Sequence, residues 1–190
     1  YWLHHLRHAW PGDLPWRLIH TLIGTTLTAF GAAVFNQLME VDCDSRMQRT
    51  SGRPLPARRI PPAGAFGLGW LLSALGIIHL GVKVNTESAA LAGLTLLVYL
   101  FVYTPMKRLS PLNTLVGAVS GAIPPVIGWV SVPGGKELSR ELLRMDLMLS
   151  SEALFLFSLL FIWQLPHFLA INWMYREEYI RGGFKMWCNE

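Results

Sequence analysis

The chain has 190 residues, of which 52% are hydrophobic and only 15% carry a charge. An ordinary soluble domain carries about 25% charged residues, so the composition argues against that class and favours a membrane protein. The net charge is +4. Because the basic residues lie in separate loops rather than along one stripe, the charge argues against a nucleic-acid partner and for anionic lipid or an anionic substrate.

Five stretches without Asp, Glu, Lys or Arg follow one another along the chain. They cover residues 18–39, 60–82, 88–106, 109–135 and 153–175. A helix needs roughly 20 apolar residues to cross the hydrocarbon core of a bilayer, and backbone groups in lipid must find their hydrogen bonds within the segment. The sequence therefore predicts an all-α, polytopic transmembrane helical bundle with five spans.

The loops between these spans differ in basic charge. The loops after the first and third spans and the segment after the fifth contain ten Lys and Arg residues, whereas the opposite side contains six. The positive-inside rule then predicts that the richer side faces the cytoplasm, or the matrix of a mitochondrion. The same side also holds most of the unusual polar residues.

Asn36, Glu40 and Asp44 are spaced four residues apart where the first span ends. On a helix this spacing places them along one face, where two like charges repel unless a cation lies between them. Magnesium suits the pattern, because it takes one or two carboxylates, water and substrate phosphates as ligands. Arg49 and Arg53, a few residues further on, are the side chains that a diphosphate would require.

The alternative for this segment is structural. A helix that leaves the membrane can carry solvated acids paired with nearby arginines, here Arg46 and Arg49. Spacing alone leaves the two interpretations open.

The longer motif around these residues is more specific. It reads NQLMEVDCD over residues 36–44 and MQRTSGRPL over residues 47–55. This string resembles the first acidic motif of the intramembrane aromatic prenyltransferases of the UbiA superfamily. The Glu in the middle position and the arginine-rich tail resemble the heme O synthase branch of that superfamily.

Two later segments are similar to the same branch. The first is YTPMKR, residues 103–108, followed by the glycine-rich stretch at 113–129, and the second is WQLPHF, residues 163–168, followed by REEY at 176–179. From spacing alone, Lys107 and Arg108 read as membrane anchors, the glycines as helix-packing residues, and His167 as a structural histidine. The resemblance instead implies diphosphate binding by Lys107 and Arg108.

The third segment stands where other members of the superfamily have their second acidic motif. Glu178 replaces the usual Asp there, and Leu169 stands where many relatives have a polar residue. We expect Glu178 to lie close enough to the face formed by Asn36, Glu40 and Asp44 to share a metal or diphosphate site with it. We expect its neighbour Glu177 to be solvated or paired with Arg176 or Arg181. All three motif segments are expected to open onto one polar cavity at the same membrane face.

The resemblance implies nine helices in the complete protein, of which residues 1–190 would hold the second to the sixth as one partial domain that need not be active alone. It implies a Mg²⁺-dependent transfer of farnesyl from farnesyl diphosphate to a vinyl group of protoheme IX, giving heme O and diphosphate. The expected catalytic residues are Asn36, Glu40, Asp44, Lys107 and His167. The expected substrate-binding residues are Arg49, Arg53, Tyr103, Arg108 and Glu178, and the expected metal ligands are Glu40, Asp44 and Glu178.

The expected location is the bacterial cytoplasmic membrane or the mitochondrial inner membrane, with a heme A synthase as a further candidate partner. Two other functions stay open. One is a related prenyltransferase with a quinone or chlorophyll-type acceptor, which should lack the WQLPHF string. The other is a cation-coupled carrier, whose acids should lie near the membrane midplane at broken helices.

Overall fold

The computed structural model describes residues 14–132 and 148–189, and in these residues all regular secondary structure is helical. His4, His5 and His8, which the sequence suggests are solvated or interfacial, lie outside the described residues. The helices are α1 (Leu14–Met39), α2 (Val41–Arg46), α3 (Gln48–Ser51), α4 (Pro62–Lys83), α5 (Thr86–Leu97), α6 (Thr104–Met106), α7 (Asn113–Val130), α8 (Ser151–Met174) and α9 (Arg176–Gly182). A π-helical turn, Val98–Tyr103, joins α5 to α6, and a short 3₁₀ turn, Trp187–Asn189, follows α9.

Five of these elements are long and apolar enough to cross a bilayer: α1, α4, the combined unit Thr86–Met106, α7 and α8. The five predicted spans are thereby confirmed in number and order. The fourth differs most in its bounds, because α7 begins at Asn113 instead of residue 109. Ser110 explains the later start, since its side chain accepts the Leu112 N–H and its carbonyl accepts the Asn113 N–H in a turn around Pro111.

The third span, Thr86–Met106, changes its helical pitch near its C-terminal end. Asn85 caps its beginning by accepting the Ser88 N–H at 2.8 Å. Near its end the Thr104 N–H bonds to the Tyr99 carbonyl five residues earlier, which is the π-helical pattern. Pro105 follows directly, and because proline has no N–H the regular ladder cannot continue through this turn. Such turns widen a helix and reorient its side chains.

α1 and α4 pack closely along small residues. A Cβ atom added at Gly31 would collide with Ser73 and the Gly69 carbonyl, and one at Gly76 would collide with Thr28 and the Gly24 carbonyl. The two backbones therefore approach each other as membrane helices with small residues at their interface do.

The remaining helices continue from this pair. α4 packs on α5, α5 on α7, and α7 on α8, while α1 also contacts α5 and α7. Large apolar side chains face outward, with Val82, Phe101 and Trp173 each about 70% exposed. An integral membrane bundle explains these surfaces, since lipid covers them.

Candidate active site

A polar cavity of about 260 Å³ lies where the motif segments meet. It is lined by residues from the ends of α1 and α8, the π-helical turn, the start of α7, and the segments that follow α1, α6 and α8. Its lining residues are Asn36, Glu40, Asp44, Met47, Arg49, Thr50, Arg53, Tyr99, Tyr103, Lys107, Asn113, Thr114, Phe168, Ile171, Asn172, Tyr179, Phe184 and Met186. The prediction that the three segments open onto one cavity is confirmed.

The first motif keeps its helical register across a break. Glu40 separates α1 from α2, with φ −108° and ψ 10°. The Glu40 N–H still bonds to the Asn36 carbonyl at 3.0 Å, and the Asp44 N–H to the Glu40 carbonyl at 2.8 Å. Asn36, Glu40 and Asp44 therefore share one face, as predicted, and all three are buried, Asp44 with only 1% exposed.

Both carboxylates are paired with cations in this cavity. Lys107 Nζ lies 2.8 Å from Glu40 Oε1, and Arg53 Nη1 lies 2.8 Å from Asp44 Oδ2. Asn36 Nδ2 donates to the second oxygen of Glu40 at 2.9 Å. The structural alternative is therefore wrong in its details, because the acids are buried rather than solvated and their partners are Lys107 and Arg53.

Lys107 has the most enclosed environment of the site's cations. Its ammonium also donates to Asn36 Oδ1 at 3.2 Å and lies 4.6 Å from the centre of the Tyr103 ring. An aromatic face stabilises a nearby cation through its quadrupole. The Thr104 hydroxyl donates to the same Asn36 oxygen at 3.2 Å. Residues of the third span thus hold the first motif in place.

Arg49 links the first motif to the third. Its guanidinium lies 4.5 Å from the centre of the Tyr175 ring and contacts the Tyr179 hydroxyl at 3.5 Å. Its backbone N–H donates to Glu178 Oε2 at 3.1 Å. Glu178 therefore approaches the first motif across 129 residues of sequence, but it does so at the backbone of Arg49 and not at Asn36, Glu40 or Asp44.

The two adjacent acids have separate environments. Glu177 is exposed and pairs with Arg181 at 3.4 Å, which confirms its predicted place. Glu178 contacts the backbone at the start of α3, outside the residues that line the polar cavity. Among the described residues no group of three or more His, Cys, Asp or Glu side chains is arranged to hold a metal ion. A metal role for Glu178 stays a prediction.

Besides Glu178, two predicted site residues lie apart from the two cavities in the described part of the chain. Arg108 donates to the Met39 carbonyl at 3.0 Å, which caps the C-terminal end of α1. His167 lies on the exposed side of α8, with its ring stacked on Trp163 at a centroid distance of 4.9 Å. The structure therefore does not bring these two side chains together with the carboxylates.

Several polar residues of the cavity were absent from the predicted set. Asn113 donates to the Lys185 carbonyl at 2.8 Å and so ties the chain after α9 to the start of α7. Thr50 donates to the Asp44 carbonyl at 2.9 Å. Asn172 is buried in the cavity wall. The signal of Asn113 and Asn172 in the sequence is a polar residue near the end of an apolar span, whereas Thr50 lies within the first motif itself.

A second, mostly apolar cavity of about 370 Å³ adjoins the first. The two cavities share Tyr99, Tyr103 and Phe168. Small side chains of α1 and α7 line much of the second cavity. A Cβ atom added at Gly117 would collide with the Tyr103 ring and one at Gly121 with Gln164, so the predicted packing role of these two glycines is confirmed. It is wrong for Gly128, where an added Cβ atom would meet nothing within 4 Å.

The cavity's donor set fits magnesium. Glu40, Asp44 and Asn36 offer hard oxygen atoms, which this ion prefers. Although Lys107 lies close to Glu40 Oε1, this buried oxygen makes no directed hydrogen bond within the described part of the chain. A metal ion could therefore take the place of the ammonium at this oxygen.

The described residues thus form a helical membrane bundle in which a charged cavity adjoins an apolar one. The model of the UbiA prenyltransferase family matches residues 4–189, and the chain belongs to this family.

Several relatives carry one name. The chain is 46% identical over 170 residues to "Protoheme IX farnesyltransferase" of Solibacter usitatus, covering 90% of this chain and 54% of that protein. It is 40% identical to the mitochondrial protoheme IX farnesyltransferase of Arabidopsis thaliana, covering 89% of this chain and 36% of that protein. The corresponding human protein is 39% identical over 93% of this chain and 37% of its own length. The chain thus spans about half the length of the bacterial relatives. No solved structure matches it.

Proposed function

We propose that the protein containing this chain transfers a farnesyl group from farnesyl diphosphate to a vinyl group of protoheme IX. The observation that carries this proposal is the junction of a charged cavity with an apolar one at Tyr99, Tyr103 and Phe168. An allylic diphosphate has the same two parts, a charged head and an apolar tail, and its reacting carbon lies where they join.

The bond changes follow from this placement. The bond between farnesyl C1 and the diphosphate oxygen breaks, and the diphosphate leaves with the electron pair. The vinyl group then supplies the electrons for a new carbon–carbon bond to C1. Water quenches the cation left on the porphyrin side and loses a proton, so that charges and atoms balance in heme O and diphosphate.

The charged cavity would bind the leaving group. Arg49, Arg53 and Lys107 can make charge-assisted hydrogen bonds to phosphate oxygens. Glu40 and Asp44, supported by Asn36, would hold Mg²⁺, with Glu178 a further candidate ligand at the edge. When bound, this ion neutralises the negative charge that grows on the leaving diphosphate.

The apolar cavity would bind the tail. Ten residues of α7 separate Gly117 at the junction from Ile127 at the far end, a rise of roughly 15 Å. The twelve-carbon main chain of a farnesyl group, with bonds of about 1.5 Å, spans roughly 14 Å when extended. Tyr103, at the junction, presents an aromatic face that would stabilise a cation at C1, and the enclosing helices would keep water from it.

Arg108 and His167 have less direct parts in the proposal. Arg108 would keep the end of α1, and with it the carboxylates, in position. His167 is the candidate contact for the heme acceptor, since its ring is exposed on α8 beside Phe168, which lies at the junction of the two cavities.

The surroundings of the enzyme are part of the same proposal. The membrane would be the bacterial cytoplasmic membrane or the mitochondrial inner membrane, with the charged cavity facing the cytoplasm or the matrix. A heme A synthase would receive the product. A cation-coupled carrier fits less well, because its acids should lie near the midplane, whereas Glu40 and Asp44 lie at the helix ends.

The test is incubation of the full-length gene product, in membranes, with farnesyl diphosphate, Mg²⁺ and protoheme IX, followed by mass analysis of the heme. The proposal expects the mass of heme O in the wild type and a loss of at least 100-fold in Asp44→Asn. Glu177→Gln is the matched control and should keep wild-type activity, because Glu177 is exposed and pairs with Arg181 away from the cavity. A farnesylated quinone together with unmodified heme would show that protoheme IX is not the acceptor.

A further inference from the structure

Lys107 contacts the side-chain oxygen atoms of the first motif that would bind a metal ion. Its ammonium contacts Glu40 Oε1 at 2.8 Å and Asn36 Oδ1 at 3.2 Å. These are oxygen atoms that a divalent cation in this cavity would require. A cation bound to them must therefore displace Lys107 from both.

The charged side chains that line the cavity carry one net positive charge, because Arg49, Arg53 and Lys107 face only the two carboxylates among the lining residues. Glu40 and Asp44 contribute two negative charges, and their partners Lys107 and Arg53 contribute two positive charges. A divalent cation added alone would bring two further positive charges next to a lysine whose side chain is only 10% exposed. A low-dielectric environment strengthens this repulsion.

A diphosphate reverses the balance. It brings several negative charges and offers new acceptors to the displaced ammonium. Lysine can follow them, because its charge is carried on a flexible four-carbon chain with three donors. The Tyr103 ring, 4.6 Å from the ammonium, provides a second favourable contact during this exchange.

We propose that Lys107 makes the Glu40–Asp44 pair accept a divalent cation only together with a diphosphate. This inference rests on the proposed function, because it takes a metal diphosphate as the ligand. Lys107 occupies the carboxylate oxygen when no diphosphate accepts its hydrogen bonds, and it transfers to the phosphate when the metal arrives. By linkage, the metal raises diphosphate affinity by the same factor as the diphosphate raises metal affinity.

The test measures binding and needs no turnover. Mn²⁺ serves as the probe for the full-length protein in detergent, with free Mn²⁺ followed by electron paramagnetic resonance, with and without inorganic diphosphate. The wild type should bind Mn²⁺ at least tenfold more tightly in the presence of diphosphate. Lys107→Met should bind Mn²⁺ even in the absence of diphosphate. Diphosphate should raise its affinity for Mn²⁺ by less than twofold.

Two further variants separate charge from folding. Lys107→Arg keeps the positive charge and should still exclude Mn²⁺ in the absence of diphosphate. Lys185→Met is the matched control, because Lys185 is a neighbour of Lys107 whose exposed side chain lies outside the cavity lining. It should keep the full coupling.

The outcomes distinguish this inference from the proposed function. If the wild type farnesylates heme but binds Mn²⁺ equally with and without diphosphate, the proposed role of Lys107 is wrong and the proposed function stands. Retained tenfold coupling in Lys107→Met leads to the same conclusion. A wild type that couples Mn²⁺ to diphosphate and yet produces no farnesylated heme overturns the proposed acceptor and supports the role of Lys107.

Discussion

Glu40 and Asp44 differ in how deeply their partners are buried. The Lys107 side chain is 10% exposed, whereas the Arg53 side chain is 36% exposed and reaches the rim of the cavity. A charge left without its partner is costly where water cannot reach it, and cheap where it can. The two carboxylates belong to the same motif, but losing Glu40 should cost more folding free energy than losing Asp44.

We predict that Glu40→Gln lowers stability more than Asp44→Asn. The first change leaves Lys107 buried without a counter-ion, at a cost of about 3 kcal/mol. The second leaves Arg53 able to turn toward water, at a cost of about 1 kcal/mol. Thermal unfolding of the full-length protein in detergent measures the difference.

The double variant Glu40→Gln with Lys107→Met is the control for this assignment. It should recover much of the loss, because it removes both charges of the pair. Equal losses in the two single variants would contradict the difference in burial.

The two cysteines should differ in reactivity. Cys43 lies on α2 and is buried against Phe184 and Met186 of the chain after α9, and burial raises the pKa of its thiol above the ordinary value. Cys188 is half-buried. Since the thiolate is the reactive form, Cys188 should react with N-ethylmaleimide at pH 7 at least tenfold faster than Cys43.

Mass spectrometry of the labelled protein measures both rates. Because the pKa of Cys43 is raised, its labelling should continue to accelerate as the pH rises above the ordinary thiol range. The Cys188→Ser variant isolates the slow reaction. Rapid labelling of Cys43 at pH 7 in this variant would show that the packing around α2 is wrong.

At the scale of elements, the interface of α1 and α4 depends on the absence of side chains. Gly76 sits against Thr28 and the Gly24 carbonyl, so that even one added carbon would collide with backbone. Gly67 lies on the same helix with nothing within 4 Å of the place where its Cβ would be. The two glycines therefore form a matched pair.

We predict that Gly76→Ala destabilises the protein by about 1–3 kcal/mol, the usual cost of overpacking. Gly67→Ala should be neutral or slightly stabilising, since alanine is the better helix former. Thermal unfolding in detergent compares them. A Gly76→Ala variant as stable as Gly67→Ala would contradict the close approach of α1 and α4.

At the scale of the whole molecule, four helices line the apolar cavity, and residues of a core cluster form part of its wall. Ala92 of α5 and Ile127 of α7 belong to that cluster, with Leu80 of α4 packed behind them. We infer that these residues set the length of the cavity, and that this length limits the length of the prenyl chain that the cavity can hold.

We predict that Ala92→Phe shifts the preferred donor from farnesyl toward geranyl diphosphate, because the added ring would occupy the end of the cavity. Leu94→Phe is the matched control, since Leu94 lies on the outer face of the same helix and is 47% exposed. Product ratios from an equimolar mixture of geranyl, farnesyl and geranylgeranyl diphosphates measure the shift. Identical ratios in both variants would place the tail elsewhere.

The sequence by itself determined the features that local chemistry controls. The five spans follow from the length of apolar stretches, because a bilayer admits only helices with internally satisfied backbone groups. The common face of Asn36, Glu40 and Asp44 follows from a spacing of four, and it persists across the break at Glu40. The motif strings were sufficient to identify the family.

Only the tertiary structure decided which groups act together. Spacing within one segment cannot show that Lys107, 67 residues after Glu40, is its partner, or that Arg53 rather than Arg46 pairs with Asp44. Lys107 and Arg108 are adjacent on a helical turn, so their side chains point in directions about 100° apart. The sequence cannot show which of the two enters the cavity and which caps α1. These contacts depend on how α1, α7 and the π-helical turn pack. Packing joins residues that are far apart in the chain.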